Sequence, residues 1–445
     1  MSGYKRYPAY KESGVEWIGE IPEGWVKKPL KFLSKIVSGS TPKSGIREYW
    51  DGDKVWITPA DLGACTRKTI SDSERKLTDI GVNSCGTEIS PAGSIVLSSR
   101  APIGHIALTD VEACINQGCK TVVPGVGVGK DFLYYLLKSG IEELRSCGQG
   151  STFMELPTHR LKDLLIPVPS SAEQTQIAAF LDRKTAQIDR LIEIKRRQIE
   201  LLKEERTAVI NHAVTKGLNP EAKMQESGIE WIGEIPAGWG IVELRRVAES
   251  LQTGPFGSQL HAEEYVSNGI PVINPSHMKA GRILPDFNVS VDEKTAENLS
   301  RHFLEVGDIV FARRGELGRC GLVTEIERGW LCGTGSLRFR PDQKRVYSPF
   351  LTWYLSTGYV GDWLSLQSVG STMDNLNTEI LGRVPVPLVP FQEQVNISEK
   401  LQLITKEIAE TISQAEKQIQ LLQEYRTTLI SDAVTGKIDV REEAA

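Results

Sequence analysis

Hydrophobic positions recur every seven residues along two segments, residues 170–216 and 391–436. A second row lies three or four positions from the first, which places both rows on one face of a helix. At 1.5 Å per residue, each segment predicts a helix of roughly 65 Å. Two such faces in one chain most simply bury each other, so we predict an antiparallel coiled coil. Packing of each helix on its own domain fits this period less well. The predicted seam residues are Leu181, Ile188, Ile192, Ile199, Leu202, Val209, Leu401, Ile408, Ile412, Ile419, Leu422 and Leu429.

The boundaries of the first helix carry their own signals. Ser170 and Glu173 form a capping-box pattern, in which both side chains are expected to satisfy amides of the first turn. At the other end, Gly217 follows Lys216 and Pro220 lies just beyond, a pattern typical of a helix end.

The chain also repeats itself. Residues 12–25 and 226–239 share twelve of fourteen positions at an offset of 214, which drifts to 220 at the helices. We therefore interpret the 445 residues as two copies of one unit, a globular domain followed by a long helix, arranged around a pseudo-twofold axis. The predicted boundaries are 1–169 and 217–390 for the globular domains (217–225 being a linker), 170–216 and 391–436 for the helices, and 437–445 for a tail.

Within each globular domain, short apolar runs bounded by Gly, Pro and Ser indicate strands mixed with a few helices. Residues 94–97 and 308–311 predict buried strands, while 132–139 and 350–356 predict short helices. The fold class is thus α+β, with two mixed α/β globular domains related by duplication. The repeated tryptophan pairs, Trp17/Trp25 and Trp231/Trp239, are expected to pack as core or as a lid at the base of each domain.

The copies differ most between residues 43–88 and 257–302, which hardly align. A shared frame with divergent loops is expected if two sister domains recognise different targets.

Arginine lies on the turn after each buried strand, Arg100 in the first copy and Arg314 in the second. Arginine on such a turn can grip guanine or a phosphate in bidentate fashion. Any one such feature is more often a capped turn or a surface salt bridge, but their occurrence at matching places favours DNA binding. The candidate DNA-binding residues are Thr41, Lys43, Thr58, Ser99, Arg100, Gln117, Ser151, Thr152, Phe256, Ser258, Asn274, Arg313, Arg314, Arg319, Ser371 and Thr372.

Composition and motifs exclude several alternatives. A net charge of −5 argues against a generic polyanion binder, and we expect a cytoplasmic protein without a membrane span. Seven scattered cysteines without a CxxC pair predict reduced thiols and no metal site. The glycine-rich run 125–129 imitates a phosphate loop, but Pro124 and Asp131 stand where glycine and a hydroxyl residue are needed. We find no catalytic motif, so no catalytic residue is assigned.

Taken together, the duplicated plan and the runs SGVEWIGEIPEGW, SGSTP, GSIVLSSRAPIG, NQGCK and EQxxI resemble the specificity subunits of Type I restriction–modification enzymes. The resemblance spans essentially the whole chain. It implies two target recognition domains, each reading one half of a bipartite asymmetric sequence in double-stranded DNA, and a coiled coil that sets the spacer.

The same resemblance implies partners. Two methyltransferase subunits would dock on the coiled coil, and two motor–nuclease subunits would complete the restriction enzyme. The assembled complex would have adenine-N6 methyltransferase and ATP-dependent endonuclease activity in phage defence. No cofactor is expected on this chain, because S-adenosylmethionine, ATP and magnesium would belong to the partners. Two alternatives remain open: a coiled-coil adaptor without DNA specificity, and an enzyme with an unrecognised site.

Overall fold

The computed structural model describes residues 3–150, 154–256, 259–279, 281–315, 317–367 and 376–443. These residues form two units: unit 1 comprises Met1–Lys195 with Glu416–Ala445, and unit 2 comprises Arg196–Ala415. Each unit therefore contains a globular part and a portion of both long helices, which run Ser171–Lys216 and Phe391–Val434. The second helix stops two residues short of the predicted 436, where Gly436 takes a left-handed φ of 77°.

Unit 1 has mixed α/β content, as predicted. A five-stranded sheet has the strand order Ser34–Ser38, Cys119–Pro124, Ile95–Ser98, Ile106–Thr109 and Thr69–Ile70. A three-stranded sheet has the order Ala113–Ile115, Trp50–Ile57 and Lys76–Leu77. Smaller pairs are Tyr10–Glu12 with Glu20–Pro22, and Val26–Pro29 with Leu165–Val168. The helices are Pro59–Ala64, Asp79–Asn83, Lys130–Ser139, Ile141–Ser146 and Thr158–Asp163, with 3-10 turns at Leu30–Phe32 and Arg47–Tyr49.

Unit 2 repeats this plan. A four-stranded sheet has the order Ala248–Thr253, Ser336–Pro341, Ile309–Ala312 and Cys320–Leu322. A three-stranded sheet has the order Ser290–Val291, Ile270–Ile273 and Leu331–Cys332. Two-stranded pairs are Met224–Glu226 with Glu234–Pro236, Gly240–Glu243 with Pro385–Leu388, and Met278–Lys279 with Arg282–Ile283. The helices are Glu293–Asn298, Ser348–Leu355, Gly358–Gln367 and Thr378–Gly382, with 3-10 turns at Leu244–Val247, Ala262–Glu264, Pro275–His277 and Ser300–His302.

The predicted strands and short helices are confirmed within one or two residues. Both faces of the strand Ile95–Ser98 are buried: Ile95 and Leu97 belong to the main core, and Val96 belongs to a second cluster. This explains why the strand is a continuous apolar run rather than an alternating one. Of the repeated tryptophans, Trp25 and Trp239 are buried, and Trp17 and Trp231 pack half-buried against the cores, which confirms the predicted packing role.

The long helices take part in both cores. In unit 1, Leu181, Ile188 and Ile192 of the first helix share a core with Leu429 of the second, and Arg426 forms an ion pair of 2.9 Å with Asp189. In unit 2, a core is shared by Ile210, Ala213 and Val214 of the first helix with Ile397 and Leu401 of the second. All twelve predicted seam residues are buried or half-buried.

The start of the first long helix corrects one expectation. The Glu173 backbone N–H does donate to Ser170 Oγ at 3.3 Å, as a cap requires. The Glu173 carboxylate, however, accepts hydrogen bonds from the Tyr7 hydroxyl at 2.7 Å and the Trp25 indole N–H at 3.1 Å. The glutamate therefore ties the helix to the N-terminal segment instead of closing a capping box.

Candidate nucleic-acid interface

In unit 1, Arg100 lies at the tip of a tight hairpin. The hairpin joins the strands Ile95–Ser98 and Ile106–Thr109, and it is closed by hydrogen bonds from Ser98 N–H to the carbonyl of His105 (2.8 Å) and from Gly104 N–H to the carbonyl of Ser98 (3.1 Å). Ala101, beside the arginine, has a left-handed φ of 52°. The turn therefore places Arg100 at one end of the five-stranded sheet, where its third and fourth strands are joined.

Two other segments converge on this turn. Ser99 N–H donates to the carbonyl of Gly118 at 2.8 Å, and its own carbonyl accepts from Leu156 N–H at 2.8 Å. A side chain at Gly118 would come within 2.9 Å of Pro59 and 3.3 Å of Arg100 Nε, so glycine is required for this close approach. Thr41 donates its hydroxyl to Gln117, which brings a third loop to the same end of the sheet.

Unit 2 builds the same arrangement around Arg314. Arg313 N–H donates to the carbonyl of Gly335 at 2.9 Å, and the carbonyl of Arg313 accepts from Leu376 N–H at 2.9 Å. Gly315 has a φ of 80° and stands where unit 1 has Ala101. The two arginine turns are thus equivalent in backbone hydrogen bonding as well as in position along the chain.

The segments that hardly align in sequence also match in structure. Thr58 precedes the helix Pro59–Ala64, and Asn274 precedes the turn Pro275–His277. A side chain at Gly335 would meet Pro275 at 2.9 Å, as one at Gly118 would meet Pro59. Sequence comparison missed this equivalence because a Thr-Pro and an Asn-Pro start can serve the same cap.

Two of the candidate DNA-binding residues, Thr58 and Asn274, are the first residues of these turns. Thr58 donates its hydroxyl to Asp61 Oδ2 at 2.5 Å and accepts from the Asp61 backbone N–H at 3.4 Å. At the other turn the Asn274 backbone N–H donates to His277 Nδ1 at 3.3 Å, and the Asn274 carbonyl accepts from the His277 N–H at 2.9 Å. Thr58 thus has a side-chain partner within its own turn, whereas the Asn274 bond in its turn is made by the backbone N–H.

Two further candidates are turned inward. The Ser99 side chain is fully buried, so it lies behind the surface that Arg100 faces. Arg313 donates its Nε–H to the carbonyl of Leu376 at 3.1 Å, and burial together with the neighbouring Arg314 charge lowers its guanidinium pKa. This bond ties the Arg313 side chain to the segment at Leu376.

The remaining described candidates face solvent to different degrees. Thr41, Lys43, Gln117, Phe256 and Arg314 are exposed. Arg100 and Arg319 are half-buried on their turns. The candidates Ser151, Thr152, Ser258, Ser371 and Thr372 lie outside the described residues.

Sequence reasoning missed a buried cation near the second interface. Arg338, 7% exposed on the strand Ser336–Pro341, donates to Gln252 Oε1 at 2.7 Å and to the carbonyls of Arg301 and Phe303 at 3.1 and 2.9 Å. It links the strand Ala248–Thr253 to the segment around residue 302. The alternating cations of Leu337-Arg338-Phe339-Arg340 were the available signal.

No helix in the described part of the chain combines the length and apolar composition that a membrane crossing requires.

Comparisons with known proteins identify relatives of the whole chain. The chain is similar to the type I restriction enzyme MjaIX specificity subunit of Methanocaldococcus jannaschii, with 30% identity over 438 residues and 96% of each chain covered. In fold it is similar to a chain from a structural study of complex assembly and conformational transition of the type I R-M system, with a TM-score of 0.67, 17% identity, and 93% and 98% of the two chains covered. It is also similar to the HsdS subunit from Thermoanaerobacter tengcongensis, with a TM-score of 0.58, 17% identity, and 94% and 98% covered.

The model of the family described as type I restriction modification DNA specificity domain matches residues 22–204 and again residues 236–421. Both matches include an arginine turn and part of a long helix. The chain therefore belongs to the type I restriction modification DNA specificity domain family, whose domain it contains twice.

Proposed function

We propose that this chain is the non-catalytic, sequence-specific DNA-binding subunit of a type I restriction–modification complex. In this proposal each globular domain reads one half of a bipartite, asymmetric target in double-stranded DNA. The observation that carries it is the pair of equivalent arginine turns, Arg100 and Arg314, held by the same backbone hydrogen bonds in the two units. A fixed frame suits recognition because phosphate contacts position a protein while base-edge contacts specify the sequence.

The side chains around the two turns differ, which supports two different half-sites. Around Arg100 lie Thr41 and Gln117. In unit 2 the loop after the strand Ala248–Thr253 carries Phe256, which is 56% exposed. A hydroxyl and an amide offer hydrogen bonds to base edges, whereas an exposed aromatic side chain offers apolar contact to a thymine methyl group.

For the long helices we propose an antiparallel coiled coil that sets the spacer between the half-sites. The support is that the N-terminal part of the first helix shares a core with the C-terminal part of the second in unit 1, and the reverse parts share a core in unit 2. Half-sites about one DNA turn apart, roughly 34–36 Å, are the natural spacing for such a reader.

We further propose that the chemistry resides on partner subunits, two methyltransferases and two motor–nucleases. S-adenosylmethionine, ATP and magnesium would then be bound by the partners. A groove of about 750 Å³ in unit 2 supports docking of a methyltransferase on the helix; it is lined by residues including Thr207, Asn211, Lys216, Trp231 and Tyr359. The Trp231 indole N–H is buried there without an acceptor among the described residues, and Trp17 in unit 1 has the same feature.

The test is to express the chain with its methyltransferase and to map methylated adenines across the genome. We expect one bipartite motif. Arg314→Ala should relax one half of that motif and Arg100→Ala the other, each losing about 1–3 kcal/mol of discrimination at one position. Arg328→Ala, which removes an exposed arginine of unit 2, is the matched control and should leave the motif intact.

Two results would contradict the proposal. Equal loss at both halves in either variant would mean that the arginine stabilises the fold rather than reads a base. Complete absence of a bipartite motif in the assembled complex would favour an adaptor role instead.

A further inference from the structure

Lys120 occupies a position that the fold otherwise gives to an apolar side chain. On the strand Cys119–Pro124 it pairs with Ser38 on one side and Leu97 on the other. The equivalent register in unit 2 places Leu337 between Thr253 and Phe311. Leu337 is fully buried in the core, whereas Lys120 is 7% exposed. The position that holds a core leucine in unit 2 therefore holds a lysine in unit 1.

The ammonium group has few partners for its charge. Lys120 Nζ lies 3.3 Å from Ser38 Oγ, and Ser38 Oγ lies 3.2 Å from Thr158 Oγ1. Among the residues that the structure describes, no carboxylate lies within ion-pair distance of Nζ. Burial lowers the pKa of Lys120, Glu155 opposes this from a distance, and the Arg100 charge adds to it. A buried cation without a counter-ion is costly, so a lysine at a core position needs a reason.

The location of the Lys120 ammonium group near the surface gives such a reason. Ser38 is exposed and begins the loop that carries Thr41, the residue bonded to Gln117. Gly118, two residues before Lys120, lies against Arg100. Thr158 is followed by the exposed residues His159 and Arg160. The ammonium thus lies just beneath the surface near the first arginine turn, with the Ser38 hydroxyl next to it and the Thr158 hydroxyl bonded to Ser38.

We propose that Lys120, Ser38 and Thr158 form a seat for one phosphate of the DNA backbone in unit 1. This inference rests on the proposed function. An ammonium group is a point charge suited to phosphate, and two neighbouring hydroxyls can each donate a hydrogen bond to its oxygens. Unit 2 lacks the equivalent cation, because Leu337 stands in its place. The two domains therefore differ in how they hold the backbone as well as in which bases they meet.

The experiment compares the assembled wild-type complex with a Lys120→Leu complex, which introduces the residue of the sister unit. DNA affinity is measured on the mapped target across a range of salt concentrations. Because each neutralised phosphate contributes a slope of about −0.9 in log K against log salt, the slope should become shallower by about one. Affinity should fall several-fold on the target and on altered half-sites alike, because a phosphate contact carries no sequence information.

Stability provides the second readout. The free Lys120→Leu chain should unfold at the same temperature as wild type or a higher one, since leucine suits the core position. Lys28→Leu, which removes an exposed lysine from the strand Val26–Pro29, is the matched control and should leave the slope unchanged. Lys120→Met repeats the comparison with an unbranched side chain and must give the same slope change.

Each other outcome overturns the inference. An unchanged slope with reduced stability would make Lys120 a structural residue. A loss confined to one half-site sequence would make it a base reader. Protection of the free chain by inorganic phosphate, lost in Lys120→Leu while the DNA slope is unchanged, would assign the seat to free phosphate. Failure of the wild-type complex to discriminate the target from scrambled DNA would instead count against the proposed function.

Discussion

The indole N–H of Trp25 donates a hydrogen bond of 3.1 Å to the carboxylate of Glu173, and Trp239 makes the same 3.1 Å bond to Glu393. In each unit this bond joins the repeated N-terminal segment to the first turn of a long helix. Both tryptophans are buried, so the bond forms away from solvent. The duplicated sequence thus repeats a tertiary link and not only a local pattern.

Loss of this link should destabilise each unit by a different amount. Glu173→Ala leaves two donors unpaired, Trp25 and the Tyr7 hydroxyl, so we expect a loss of about 2–3 kcal/mol in the free energy of unfolding of unit 1. Glu393→Ala leaves Trp239 unpaired and should cost unit 2 about 1–2 kcal/mol. Urea denaturation measures both. Glu193→Ala, at an exposed position of the first long helix, should change the free energy by less than about 0.5 kcal/mol. Similar losses in all three variants would show that the tryptophan bond is unimportant.

The glutamine after each glutamate holds a second link. Gln394 accepts from Tyr347 N–H at 2.7 Å and donates to the carbonyls of Arg345 and Val389 at 3.1 and 2.8 Å. Because its side chain is fully buried, Gln394→Leu should leave three backbone groups unsatisfied and destabilise unit 2 by about 3 kcal/mol. Gln392→Leu, two residues earlier and exposed, is the control and should be nearly neutral in the same denaturation experiment. A neutral Gln394→Leu would mean that water replaces the side chain.

The equivalent residue in unit 1 explains the false phosphate loop. Gln174 accepts from Gly129 N–H at 2.7 Å and donates to the carbonyls of Gly127 and Pro169 at 3.0 and 3.1 Å. The glycine-rich run is therefore an anchor for the long helix. Its role was invisible in sequence because the partner lies 45 residues further along the chain.

Features that depend on interactions between residues close in sequence could be predicted, and features that depend on contacts between distant segments could not. The buried strands, the long helices and the two arginine turns were predicted because periodicity, glycine and proline act locally. The contacts of Glu173 with Trp25 and of Arg313 with Leu376 were not, because they join distant segments. The hidden equivalence of residues 43–88 and 257–302 has another cause. Caps such as Thr78 and Asp292 use different side chains for the same hydrogen bond, so the fold persists while identity is lost.

Stability of unit 2 should depend on pH through His302. The imidazole is 2% exposed, and burial with the nearby Arg301 and Arg338 charges lowers its pKa to about 4. The unfolded chain binds the proton near pH 6.5 and the folded chain near pH 4. The contribution of His302 to the free energy of unfolding is therefore complete above pH 6.5 and is lost as the pH falls from 6.5 to 4. The full difference amounts to about 3 kcal/mol.

Urea denaturation of wild type and His302→Gln between pH 7.5 and 4 measures this contribution. The difference between the two free energies should shrink as the pH falls, because only wild type must accommodate a buried imidazolium. His261→Gln, at an exposed position, should run parallel to wild type. A pH-independent difference between wild type and His302→Gln would show that His302 titrates alike in both states.

Ala101 and Gly315 are equivalent, and both adopt left-handed backbone conformations beside the arginines of the two turns, Arg100 and Arg314. Among the described residues, a side chain at Gly315 would meet Arg319 Nη2 at 3.7 Å, an ordinary contact, so we expect the effect of Gly315→Ala to report backbone conformation. We expect it to destabilise unit 2 by about 1 kcal/mol.

Ala101→Gly should relieve the same strain while adding freedom to the unfolded chain, so its net effect should stay within about 0.5 kcal/mol. Gly238→Ala, at a glycine with open space and no left-handed φ, is the control and should be neutral or slightly stabilising. Thermal unfolding distinguishes the three; a Gly315→Ala chain as stable as Gly238→Ala would mean that the turn relaxes to an ordinary conformation and that the shape of the second arginine turn is not fixed by its glycine.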